Sequence, residues 1–313
     1  MSYPARIHRS HQYSTYFAPR GNARMADLGM LIAQQFLSPF DKLIGLLGVA
    51  GSGKSLLIRG MFPGLDLTND DEGVNVRPLP ILSVDDQSGF YTPNTYHLDI
   101  RFEMAFTQLH ELAEAILKAI NKGKRVIVEH FDLIYPLLNQ NANLLVGVGQ
   151  EVIITRPTLF GPKPKEITDI VFNSVYARLR AHSAEDVCEK YLEKQGISKH
   201  LYEHADVHHG FILSFFQEPD IDITELEHSA CRLIEEDVPI SYVDENKISI
   251  GNELHKCTGP RMHVRSTGEI KKLTLLKELL HDPITGRYLL VGIVGDNVRN
   301  IEDLSELNRI TLR

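Results

Sequence analysis

The sequence has no tryptophan, only three cysteines in 313 residues, no low-complexity tract and no apolar run long enough to cross a bilayer. Each scarcity excludes something. Cys188, Cys231 and Cys257 are too few and too scattered for a disulfide framework, which fits a reducing compartment. Runs such as Leu43 to Ala50 fall well short of the roughly 20 residues a membrane helix needs. The opening stretch MSYPARIHRSHQYSTYF lacks the apolar core of a secretory signal. The expectation is a cytoplasmic chain with no membrane partner.

Positive charge is scarce too. The net charge is −8, and from Ala181 onward 24 acidic residues face 15 basic ones. Affinity for a nucleic-acid backbone comes largely from Lys and Arg displacing counterions, so no DNA partner is expected. Any RNA contact is confined to a local patch, with Arg6, Arg9, Arg20 and Arg24 or the pair Lys271 and Lys272 as candidates. The hydrophobic share of 43% is ordinary and supports a substantial core, and the length suggests two domains.

Periodicity then places the elements. Residues 22–37 carry apolar positions at helical spacing and predict an amphipathic helix within an N-terminal extension, residues 1–40. Lys42 to Val49 is a continuous apolar run ending in glycine, as in a buried parallel strand, and Ser55 to Met61 continues as helix. Further strands are expected over Pro80 to Val84, Arg125 to Val128 and Glu151 to Thr155, with one long helix from Ile100 to Asn121. This alternation predicts an α/β domain, residues 41–177, with a parallel sheet flanked by helices. Phe160 to Lys165 has the glycine and proline content of a linker. The remainder, residues 178–313, reads as strand (211–216), helix (224–237) and strands (238–243, 288–295), an α+β domain with an antiparallel sheet.

Residues 48–55, GVAGSGKS, satisfy the pattern G-x-x-x-x-G-K-[ST] between that strand and helix. Each position has a task. Gly48, Gly51 and Gly53 let the backbone curl so that N–H groups, including those of Ser52 and Leu56, face phosphate oxygens. Lys54 brings a point charge to the outer phosphates, Ser55 ligates Mg²⁺, and the helix offers its positive end to the same anion. The expected ligand is ATP or GTP with Mg²⁺. A second carboxylate for the cation belongs at the end of a neighbouring strand, where Glu129 and Asp132 stand; His130 between them reads as structural. Asp85 and Asp86, just past an expected strand end, are candidate general bases toward an acceptor hydroxyl, with Asp99 and Glu103 as further carboxylates.

With these residues, positions 42–136 resemble the uridine kinase branch of the P-loop proteins, in which a strand ending in an Asp pair and a later V-I-V-E segment occupy comparable places. The resemblance implies a P-loop NTPase fold and phosphoryl transfer, although lid arginines typical of such kinases are not identifiable.

Nine of the fourteen histidines lie after Ala181. Cys257 to Lys271, CTGPRMHVRSTGEIK, looks like the C-x-G-P-H-V-x-x-T-G-x-I signature of the editing domain of threonyl-tRNA synthetase, the second additional domain shared with alanyl-tRNA synthetase. Gly210 to Ile240 resembles the same domain's glycine-phenylalanine strand and acidic helix. By that resemblance, His182 matches the first ligand of the family's H-x-x-x-H helix, Asp186 replaces the second histidine, Cys257 matches the third ligand and His263 the fourth, around a candidate Zn²⁺. Arg261 and Met262 lengthen the Cys-to-His spacing relative to the family. His204 and His208 form a second-ranked H-x-x-x-H pair, and His209 and His255 are substitute ligands. The implied partner is an aminoacyl ester, an amino acid or a tRNA end. Two rivals stand beside this reading: a nucleoside-type kinase whose C-terminal domain positions the acceptor, and a nucleotide-gated binding module without catalysis.

Overall fold

The computed structural model describes residues 13–18, 21–68, 79–83, 94–259 and 262–295. It divides into two compact units between Asn173 and Ser174. The first is an α/β unit built on a mixed, mostly parallel sheet, and the second carries two antiparallel sheets.

In chain order the first unit contains β1 (Tyr13–Phe17), α1 (Asn22–Phe36), β2 (Leu43–Leu47), α2 (Lys54–Met61), β3 (Thr95–Asp99), α3 (Ile100–Glu103), α4 (Leu109–Asn121), β4 (Arg125–Glu129), α5 (Phe131–Leu138), β5 (Leu144–Val148) and β6 (Glu151–Thr155). The six strands lie in the order β1-β6-β5-β2-β4-β3. Strands β5, β2, β4 and β3 run parallel, while β6 and β1 pair antiparallel at one side. The wholly parallel sheet expected from alternation is thereby corrected: only Gly149 and Gln150 separate β5 from β6, and so short a link can only reverse the chain. All five residues of β2, β5 and β6 are buried, so their sequences carry no period-two signature.

Three other expectations change. Pro80–Ser83 is a 3₁₀ turn rather than a strand. The long helix is two pieces: the Asp99 carboxylate caps α3 by accepting from the Phe102 N–H, and a Gln108–Glu111 capping box starts α4 afresh. Phe106 lies between the pieces and is 63% exposed. The expected linker runs directly into α6 (Pro164–Lys194), within which the division between the units falls.

Helix α1 packs on α2 through glycines. A β-carbon on Gly60 would lie 2.0 Å from the Ala26 carbonyl oxygen, so only glycine permits that approach. Met25 of α1 then reaches the glycine-rich loop of residues 48–53, its Cε 3.1 Å from where a β-carbon on Gly53 would stand. Arg156 at the end of β6 forks onto the buried Asp41 carboxylate, Nη1 to Oδ1 at 2.6 Å and Nη2 to Oδ2 at 2.8 Å, tying β6 to the start of β2.

The second unit takes the C-terminal part of α6 and adds β7 (Tyr202–Val207), β8 (Gly210–Phe215), α7 (Ile223–Glu235), β9 (Ile240–Asp244), β10 (Lys247–Ile250), β11 (Glu253–Lys256), β12 (Leu273–Leu275), β13 (Leu280–Asp282) and β14 (Arg287–Val294). One sheet has the order β12-β14-β8-β7 with β13 on β14, and the other β11-β10-β9. Its core joins Val187 and Leu192 of α6, Phe211 and Phe215 of β8, Leu226 of α7 and Ile248 of β10. Among the described residues, no helix is long and apolar enough to cross a membrane.

Candidate functional sites

Strand β2 delivers residues 48–53 to the N-terminus of α2, and three glycines there have positive φ: Gly48 at 149°, Gly51 at 78° and Gly53 at 94°. The loop borders a cleft of about 510 Å³ lined by Gly51, Gly53, Lys54, Ser55, Leu56, Asp99, Arg101, Glu129 and His130, among others. That volume lies within the range of small-molecule sites. Gly48 and Ser52 shape the loop without lining the cleft. The Ser52 hydroxyl is buried and has no hydrogen-bond partner among the described residues.

Lys54 folds back over the loop, its Nζ donating to the Val49 carbonyl at 2.9 Å and the Gly48 carbonyl at 3.3 Å, with Glu129 Oε2 at 3.8 Å. Glu129, the last residue of β4, accepts from the Ser55 hydroxyl at 2.8 Å through Oε1. The same oxygen lies 3.2 Å from His97 Nε2. His97 Nδ1 accepts from the Thr68 N–H at 3.1 Å, which leaves Nε2 as the nitrogen that carries a proton toward Glu129. Burial pushes the Glu129 carboxyl up, but the His97 hydrogen bond, the Lys54 charge and the Ser55 hydroxyl outweigh it and hold the group below its ordinary value. Burial lowers the Lys54 ammonium, opposed by Glu129 and Asp99. Burial and the nearby Lys54 charge also lower His130.

Asp132 lies in the first turn of α5 and does not line the cleft. Asp85 and Asp86 lie outside the described residues. His97 escaped the sequence reading because nothing in the strand TYHLD marks its histidine as a partner of Glu129. His130, read as structural, lines the cleft.

In the second unit the four residues assigned by motif meet. His182 and Asp186 stand one turn apart in the middle of α6 rather than at a helix start, and face Cys257, just after β11, and His263. Cys257 Sγ lies 3.3 Å from His182 Nε2 and 3.7 Å from His263 Nε2. Asp186 Oδ2 is 3.7 Å from His182 Nε2 and 2.6 Å from His263 Nε2. A tetrahedral zinc with ordinary bond lengths separates its donors by about 3.3–3.6 Å. Three of these four separations are close to that, and the short one is a hydrogen bond that an ion would replace.

The outer groups fit as well. His182 Nδ1–H donates to Asp206 Oδ2 at 2.9 Å, the carboxylate–histidine arrangement that orients metal-bound imidazoles. The Gly259 N–H donates to Cys257 Sγ at 3.2 Å, and a β-carbon on Gly259 would stand 3.1 Å from His182 Nε2. Asp186 Oδ1 accepts from His255 Nε2 at 3.0 Å, and Lys199 extends this network to Glu189. Burial lowers His182, yet its bonds to Asp206, Cys257 and Glu185 and the Asp186 charge raise it to about 12. Burial raises the Cys257 thiol, but His182 and His263 bring it below its usual value. His204 and His208 do not converge on one donor group: His204, in β7, pairs with Glu185 at 3.2 Å.

No protein-family model matches this chain, and no curated protein matches it by sequence.

Proposed function

We propose that the first unit is a P-loop NTPase domain that binds ATP or GTP with Mg²⁺, and that the second holds zinc beside a pocket recognising an aminoacyl ester, an amino acid or a tRNA end. The observation that carries the nucleotide reading is the meeting of Lys54, Ser55 and Glu129 at the floor of one cleft, with 2.8 Å between Ser55 Oγ and Glu129 Oε1. Loop N–H groups and Lys54 would hold the phosphates, while Ser55 and Glu129 would hold the cation. Mg²⁺ supplies charge neutralisation between the outer phosphates. Phosphoryl transfer is mostly positioning and electrostatics, so hydrolysis or transfer of the terminal phosphoryl group is the reaction this arrangement supports. Calorimetry with ATP and GTP at millimolar Mg²⁺ should give saturable heat that Lys54→Ala abolishes. No heat with either nucleotide overturns the reading.

The zinc reading rests on the convergence of four donor atoms within 4.8 Å of one another, each from a motif position. Catalytic zinc keeps a ligand position open, whereas four protein donors fill a tetrahedral shell. His182, Asp186 and Cys257 are also buried, so a zinc held by all four would be structural, and ester cleavage would require Asp186 or Cys257 to yield its place. Elemental analysis should find about one zinc per chain, lost in Cys257→Ala. A metal-free wild-type protein refutes it.

The nucleoside-type kinase reading is favoured by one further observation, a second cavity of about 250 Å³ beside Thr68, Ile81, Tyr96 and His97, the last of which bonds Glu129. Nucleotide turnover stimulated by a nucleoside or amino acid, and indifferent to tRNA, would select it. Binding without turnover under any of these conditions would select a nucleotide-gated module.

A further inference from the structure

We infer that His130 is a nitrogen ligand to the divalent cation of the nucleotide cleft, so that this site takes Mn²⁺ in preference to Mg²⁺. The inference builds on the nucleotide reading of the cleft, yet its test needs no nucleotide.

His130 links β4 to α5 in a left-handed backbone conformation, φ 56° and ψ 45°, which is costly for a residue with a β-carbon. Such strain persists where surrounding structure holds it, often at a ligand site. The usual local reason for a polar residue here would be to cap the helix, but the side chain makes no capping hydrogen bond. The residue is 7% exposed and lines the cleft, and among the described residues its ring makes no hydrogen bond. Among the described residues neither ring nitrogen is both buried and unpartnered, so the ring opens onto the cleft, where an ion can reach it.

A partner is within reach. One ring nitrogen, an Asp99 carboxylate oxygen and a Glu129 carboxylate oxygen all lie within 4.8 Å of one another. An octahedral ion bound at about 2.1 Å places adjacent donors about 3.0 Å apart and opposite donors about 4.2 Å apart. Binding one ion therefore requires the trio, which lies within 4.8 Å of one another, to close to those spacings. Ser55, already bonded to Glu129, supplies a hydroxyl on the same side. Mg²⁺ favours oxygen ligands and holds its waters, while Mn²⁺ accepts imidazole beside carboxylates. A site with one nitrogen among its donors thus selects the transition ion.

The test loads full-length protein carrying about one equivalent of zinc, enough for the four second-unit donors but not for the cleft as well, with Mn²⁺. Electron spin echo modulation should show ¹⁴N coupling from one bound Mn²⁺, and free-Mn²⁺ titration should show tighter binding than Mg²⁺ competition. His130→Gly, which relieves the backbone and so should fold, should abolish the coupling and weaken Mn²⁺ at least about tenfold. His130→Asn, also tolerant of this conformation, should lose the coupling as well. Bound Mn²⁺ without ¹⁴N coupling, coupling that survives in His130→Gly, or equal affinity for the two ions overturns the inference. Nitrogen coupling together with calorimetric silence toward ATP and GTP would instead remove the nucleotide reading and leave this one standing.

Discussion

Replacing Gly48 with alanine should distort the glycine-rich loop of residues 48–53 from within its backbone. The new β-carbon would stand 2.3 Å from the Val148 carbonyl oxygen and 2.8 Å from Ser52 Oγ, where ordinary contact begins at 3.4 Å. The carbonyl or the loop must therefore retreat by about 1 Å, within close-packed surroundings that resist it. Val148 pairs with Val152 in the β5–β6 hairpin and is fully buried, so the carbonyl is poorly placed to move. Gly48 also holds φ at 149°, a strain of about 1–3 kcal/mol for alanine. Overpacking adds about 1–3 kcal/mol, giving about 2–6 kcal/mol in all. Gly51→Ala is the control: φ is 78° but nothing lies within 4 Å, so only the left-handed penalty of about 1–2 kcal/mol applies. The chain lacks tryptophan, so urea denaturation is followed by far-ultraviolet circular dichroism, with each unit allowed its own transition. Two variants whose first-unit stabilities agree within about 0.5 kcal/mol would refute the steric argument.

Arg156→Ala should cost the first unit about 3–5 kcal/mol in the same assay, because it leaves the buried Asp41 carboxylate without its cation and with the Ser38 N–H as its remaining donor; a loss below about 1 kcal/mol would mean that water reaches it. Zinc binding should release protons and weaken as pH falls, since every donor must be deprotonated; calorimetry in buffers of different ionisation enthalpy measures the release, and none would contradict the donor set. His97→Phe removes a hydrogen bond from Glu129, whose carboxyl is held below its ordinary value in the fold. A depressed carboxyl stabilises above its unfolded value and loses that contribution as pH falls through its folded one. The gap between wild type and His97→Phe in urea midpoint should accordingly be largest near neutrality and shrink toward about pH 3, and a gap independent of pH would assign His97 to packing alone.

Sequence patterns located what depends on local chemistry. The glycine-rich loop at residues 48–53, α1, β2, α7 and β14 all carry strong periodic or motif signals, and their ranges are close to those read from the chain. Strand β5, LLVGV, was not read, because a short run buried on both faces has no alternation to display. The break between α3 and α4 depends on the Asp99 side chain turning back to the Phe102 N–H, a choice that apolar spacing does not record. In the second unit, the four donors were legible through motif order and the one-turn spacing of His182 and Asp186. Asp206, which steadies His182, comes from a different element, and only tertiary structure brings it there. His130 was set aside because a left-handed residue between strand and helix leaves no mark in composition.

Asp186 uses its two oxygens in opposite directions, Oδ2 toward His263 and Oδ1 toward His255. That double allegiance makes the position epistatic. Histidine introduced at 186 would remove the carboxylate that accepts from His255, so that His255 would have to present Nε2 as an acceptor instead. The effect of a substitution at 186 would therefore depend on how residue 255 is satisfied.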